Sequence, residues 1–136
     1  MPEFILKGVT REFHKLDQVT RGYIEALFFT SCGVDDGELA DKGFTDLSDD
    51  ALAACVGDCH GFYNTNRDLI IKAMSLISDY DLESIGRDFW YTRNHHGVGF
   101  WDRGLDETGE ELTQSTHDQF NETYVYLGDD GKVYLA

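Results

Sequence analysis

Six side chains in one short stretch could do chemistry together: Arg93, Asn94, His95, His96, Asp102 and Arg103. They lie within Asp88-Phe89-Trp90-Tyr91-Thr92-Arg93-Asn94-His95-His96-Gly97-Val98-Gly99-Phe100-Trp101-Asp102-Arg103-Gly104, which holds both tryptophans. A histidine can act as a general base, a carboxylate can orient it, and guanidinium and amide groups can hold an anion. If the chain folds back at Asn94-His95-His96-Gly97, the six meet at a hairpin tip. A purely structural reading competes with this. Aromatics at alternating strand positions fill a core against a helix, which buries Trp90 and Trp101. Asp88 or Asp102 beside Arg93 or Arg103 then makes a cross-strand ion pair. Adjacent histidines on a strand face opposite ways and so serve one metal ion poorly.

The thiols are the second set of candidates. Cys32, Cys55 and Cys59 are odd in number, in a chain with no basic, apolar leader at its start. That predicts free thiols in a reducing compartment and no disulfide. Cys55 and Cys59 are four apart with His60 alongside, but C-x₂-C pairs and a fourth soft ligand are absent, so no structural zinc is expected. Residues 35–50 are rich in carboxylates, yet Asp41-Lys42-Gly43-Phe44-Thr45-Asp46 does not follow the calcium-loop pattern. No phosphate loop or nucleophile elbow occurs, so no catalytic residue, metal or cofactor is assigned.

Carboxylates are the third set. The chain of 136 residues carries 26 acids against 11 bases, for a net charge of −15. Residues 1–34 are neutral, so the whole excess lies in 35–136. A polyanion of this kind is repelled by nucleic acid, which excludes binding through phosphates. It is steered instead toward a basic surface. Asp35, Asp36, Glu38, Asp41, Asp46, Asp49 and Asp50 form the densest run, with Asp58 and Asp68 on the polar side of the helix that follows. These nine are the predicted binding surface.

The elements that must position these groups follow from periodicity. Leu16, Val19, Tyr23, Ile24, Leu27 and Phe28 repeat at three and four, predicting a helix over about 14–32. Residues 34–47 read as an acidic loop. Ser48 reads as an N-cap with Asp49 and Asp50 in the first turn, where the helix dipole favours anions. A stripe from Leu52 through Cys55, Cys59, Phe62, Asn66, Leu69 and Ala73 to Ile77 predicts one long helix over about 49–78. Gly57 and Gly61 predict close packing or a bend within it. Hairpins are predicted near 88–103 and 123–135, the second around Gly128-Asp129-Asp130-Gly131, with a weak helix over Glu110 to Phe120 between them. Helices first and paired strands late give an α+β class, as one domain over 1–136. No apolar run reaches the roughly 20 residues of a membrane span.

The run Gly86-Arg87-Asp88-Phe89-Trp90-Tyr91-Thr92-Arg93-Asn94-His95-His96-Gly97-Val98-Gly99-Phe100-Trp101-Asp102-Arg103-Gly104 resembles a signature of small uncharacterised proteins of tailed bacteriophages and prophages. Tyr23-Ile24-Glu25-Ala26-Leu27, Asp58-Cys59 with Phe62 and Asn66, and Val125-Tyr126-Leu127-Gly128-Asp129-Asp130-Gly131 are similar to theirs as well. The resemblance implies phage origin and the cytoplasm of a bacterial host. It carries over no activity and no catalytic residue. Two functional expectations stand. One is a protein-binding role, as an inhibitor or modulator of a host nucleic-acid-binding or defence protein, an anti-restriction factor for example, through a DNA-like acidic surface. The other is a small enzyme or metal-binding protein centred on the Arg93-Asn94-His95-His96 and Asp102 hairpin.

Overall fold

A computed structural model describes residues 2–5, 9–32 and 37–136. Among the described residues, four α-helices and one small two-stranded sheet make an α+β fold. Helix α1 spans Gln18–Cys32, α2 Asp49–Leu76, α3 Leu82–Arg93 and α4 Glu107–Gln119; strands β1 Val125–Leu127 and β2 Val133–Leu135 follow.

Side chains that take up orphan backbone donors set three of the helix starts. Asp17 accepts from the Thr20 N–H at 2.8 Å ahead of α1. Ser48 accepts from Ala51 ahead of α2, as its sequence position predicts. Asp81 does the same for Ser84 ahead of α3. Helix α2 is a little over 40 Å long at 1.5 Å per residue. It does bend, but not at its glycines. Asn66 leaves helical geometry (φ −115°, ψ 18°), and its side-chain amide donates to the Phe62 carbonyl at 3.0 Å. A side chain inserted into the hydrogen-bond ladder is a sufficient cause of a kink. A Cβ on Gly57 would meet nothing within 4 Å, so that glycine serves no packing contact.

The glycines that permit close packing are Gly22 in α1 and Gly86 in α3. A Cβ on Gly22 would lie 1.9 Å from the Glu83 carbonyl oxygen, and one on Gly86 would lie 1.9 Å from that of Val19. The two helices therefore touch backbone to backbone. Around this contact lies an aromatic core. Phe62 of α2 stacks on Phe89 of α3 with centroids 4.2 Å apart, Phe100 lies nearly parallel to Phe62 at 5.7 Å, and Tyr23 meets both Phe89 and Trp90. Trp90 is buried, and its indole N–H donates to Thr30 at 2.9 Å.

The hairpin near 123–135 forms as expected, antiparallel with Tyr126 opposite Tyr134. It docks on the start of α2, where the Ser48 N–H donates to the Val133 carbonyl at 2.9 Å. The hairpin expected near 88–103 does not form. That stretch is the second half of α3, its C-terminal cap and a short 3₁₀ turn, Phe100–Asp102. Asn94-His95-His96 closes a helix: His95 takes the left-handed conformation (φ 56°), its N–H donates to the Thr92 carbonyl, and the His96 N–H donates to that of Tyr91. This pair of bonds satisfies the last carbonyls of a helix. The buried residues of α3 are Ile85, Gly86, Asp88, Phe89, Trp90, Thr92 and Arg93, and three of the seven are polar or charged. Counting apolar residues alone misses those three. Trp101, expected inside, is 44% exposed at the 3₁₀ turn.

Candidate functional site

The six residues of the predicted hairpin site do not converge. Arg93 points inward, and its guanidinium donates to Asp58 at 2.7 Å, to the Tyr23 hydroxyl at 3.0 Å and to the Asn121 carbonyl at 2.8 Å. It also lies 5.1 Å from the Phe120 ring. Burial opposes its charge, and the contacts with Tyr23 and Asp58 outweigh burial and raise its pKa. Asn94 is a clip: its amide donates to the Trp90 carbonyl at 3.1 Å, and its carbonyl accepts from the Thr123 N–H at 2.9 Å. His95 stacks on His117 with centroids 4.7 Å apart and sits 3.5 Å from Glu122. His96 lies edge-on to Tyr91 instead. Asp102 accepts from the Gly99 N–H at 3.0 Å and holds the 3₁₀ turn.

Arg103 goes to a different place again. Its Nε and Nη2 clamp the buried carboxylate of Asp88 at 2.7–3.2 Å, and the Tyr80 hydroxyl donates to the same carboxylate at 2.5 Å. The bonds to Asp88 raise the Arg103 pKa, while burial, with Asp88 beside it, raises that of the Tyr80 phenol. An ion pair of an Asp and an Arg from this stretch does exist, then, but it joins a helix to a turn rather than two strands.

Of the predicted acidic surface, Asp35 and Asp36 lie outside the described residues. Glu38, Asp41, Asp49, Asp50 and Asp68 are exposed. Three of the nine also have structural duties. Asp58 pairs with Arg93, Asp49 with Arg11 at 3.3 Å, and Asp46 accepts from the Gly43 N–H at 2.9 Å. At least six of the eleven bases are engaged in such pairs, adding Lys15 with Glu12, Arg21 with Glu83, Arg87 with Glu25 and Arg103 with Asp88. What is left facing solvent is therefore dominated by carboxylate. One part of that surface lies outside the nine predicted residues. Glu107, Glu110, Glu111 and Asp118 are all exposed on α4 and fall at three, four and eleven residues from the first, which is one helix face. Their spacing was available to find them. Asp129 and Asp130 add two more exposed carboxylates at the β-turn.

Cys55 and Cys59 are free thiols buried in the core, and burial pushes both thiols up. That is the environment of an inert, space-filling cysteine. Among the described residues, no three His, Cys, Asp or Glu side chains converge in the manner of metal ligands. No helix among them is long and apolar enough to cross a membrane. Compared with protein families, with curated proteins and with solved structures, the chain finds no match in any of the three.

Proposed function

We propose that this is a phage-type protein of the bacterial cytoplasm that works by binding a host protein, and that it does so by presenting carboxylates where that protein expects phosphates. The target class is a nucleic-acid-binding or defence protein with a basic groove, a restriction enzyme being one example, and the effect is inhibition. The observation that carries the reading is the division of charge. At least six of the eleven bases are paired with carboxylates, while Glu38, Asp41, Asp50, Asp68, Glu107, Glu110, Glu111 and Asp118 remain exposed with no ion pair described. A net charge of magnitude about 2–8 is enough for the solubility of a small domain, and an excess beyond that repels itself. A surface that costs stability without aiding solubility calls for a partner that uses it.

The rigidity of the display supports the same reading. Six of the eight carboxylates stand on α2 or α4, so their spacing is fixed by the helix and is in place before an encounter. Basic grooves attract such a surface at long range and bind it by matching sign. The enzyme or metal-binding alternative has less to stand on, since its six residues are split among a core ion pair, a helix cap and a buried clamp.

The test is capture from bacterial lysate on immobilised protein, followed by elution with salt and by competition with double-stranded DNA. The reading expects a nucleic-acid-binding protein that is released by both. A partner that resists salt and ignores DNA contradicts it.

A further inference from the structure

Within this acidic molecule, two arginines line one small pocket of about 190 Å³, with Tyr80, Ser84 and Asp88. Arg103 is held there by its two-pronged bond to the buried Asp88, which uses Nε and Nη2 and leaves Nη1 without a partner among the described residues. Arg87 donates to Ser84 at 3.2 Å and to Glu25 at 3.5 Å, the latter a long contact with a half-exposed carboxylate, and its Nε has no partner among the described residues. The pocket thus offers free guanidinium N–H groups from two sides, one of them fixed in place before any ligand arrives. Arginine forks of this kind match the oxygens of phosphate.

Arg87 also lines a second cavity, of about 240 Å³, whose other walls are the apolar or aromatic Ala26, Phe29 and Tyr91 and the carboxylate of Glu25, which Arg87 contacts. Phe29 is 75% exposed, more than any other large hydrophobic side chain described. The two cavities are one track. Ser84, Arg87, Asp88 and Tyr91 occupy positions separated by three, four and seven residues on α3, so they share a face about 10 Å long.

We infer that this track is a binding site for a flat ring carrying a phosphate, the chemistry of a nucleoside monophosphate: the ring lies against Phe29 and Tyr91, and the phosphate is held by Arg87 and Arg103. Neither half is sufficient. The arginines are each partnered by a carboxylate, so a bare anion gains little over water. The aromatic half is open, so an uncharged ring has little to fix it. Together they give stacking and charge-assisted hydrogen bonds on one ligand. The site lies apart from the carboxylates of α4 and is independent of the protein-binding reading.

The experiment is calorimetric titration of the full chain at about 0.15 M salt, where surface charge is screened beyond roughly 8 Å. Three probes are compared: adenosine 5′-monophosphate, adenosine and inorganic phosphate. The expected result is saturable one-to-one binding of the monophosphate, with adenosine and phosphate each weaker by about tenfold or more. Arg87→Gln and Phe29→Ser should each weaken the monophosphate by about fivefold to tenfold. Both side chains lie outside the packed core, and unchanged thermal unfolding of the variants confirms that the loss is one of binding. Absence of saturable binding overturns the inference. So does monophosphate affinity indifferent to both substitutions, or phosphate alone binding as tightly as the monophosphate.

Discussion

Arg93 shows how a residue rich in chemistry can be spent on structure. A buried guanidinium with three hydrogen-bonded partners joins α1, α2, α3 and the segment after α4, so its removal leaves Tyr23 and Asp58 without their donor. Breaking such a pair from one side costs about 3–5 kcal/mol when both partners are buried. Asp58 is 39% exposed and is partly rescued by water, so Arg93→Met should cost about 3 kcal/mol, at the low end of that range. His96→Ala, whose ring only rests beside Tyr91, should stay within about 0.5 kcal/mol. Urea unfolding of both variants measures the difference, and equal costs would mean that Arg93 is not a structural hub. At this scale the sequence identified which residues were unusual but not what they do. Arg93 and Asp58 are 35 positions apart and were placed in two different candidate sites. Nothing local tells an arginine that its partner lies on another helix.

At the scale of elements, close approach and capping make two further predictions. Gly22→Ala puts a methyl group where the Glu83 carbonyl stands, and backbone cannot swing aside as a side chain can. The expected loss is about 2 kcal/mol or more, despite the gain in helix propensity. Gly57→Ala, in open space on the same kind of helix, should instead gain up to about 1 kcal/mol. Melting temperatures that move in opposite directions confirm the assignment of roles; a shift of the same sign in both would refute it. The second prediction concerns pH. The Ser84 N–H bonds to the Asp81 carboxylate and holds its pKa below the ordinary 3.8. A carboxyl depressed in the folded state stabilises above its unfolded pKa and loses that contribution as pH falls through the folded one. Asp81→Asn keeps a cap acceptor, so it should change little at pH 7 and should flatten the fall in stability below about pH 4. Equal acid sensitivity in the two proteins, by thermal unfolding from pH 6 to pH 2, would contradict this.

Helices α1, α2 and α4 and the last hairpin were legible because each shows its period or its turn in apolar and glycine residues. Helix α3 was not. Its inward face includes Asp88, Thr92 and Arg93, which are buried because partners from elsewhere satisfy them. Phe89-Trp90-Tyr91 reads as a strand while those three are counted as outward-facing. The acidic loop was legible as a loop, and Phe44–Asp46 adds a short 3₁₀ turn to it that Asp46 closes.

For the whole molecule, the surplus of negative charge is the property to explain, and it was readable in full from composition. Its disposition was not. Asp58, Asp49 and Asp46 were counted toward the working surface, but each also holds the fold together. Helix α4 presents Glu107, Glu110, Glu111 and Asp118 instead. Neutralising Asp58, and to a lesser degree Asp49 and Asp46, would lower stability and imitate a loss of function. The informative variant changes only exposed carboxylates for which no ion pair is described: Asp41→Asn, Asp50→Asn, Asp68→Asn, Glu110→Gln and Glu111→Gln. Each exposed charge is worth about 0–1 kcal/mol alone, so the five must be changed together.

The most direct test of the protein-binding account is the rate of association with the captured host protein, measured across salt concentration for the parent chain and this five-site variant. The account predicts that the parent associates fast at low salt and slows steeply as salt rises, by about tenfold or more between dilute and physiological conditions. It predicts that the variant is slow throughout, with a flattened salt dependence and unchanged thermal unfolding. Identical rates and identical salt dependence for the two proteins would contradict the claim that the acidic surface is the one that works.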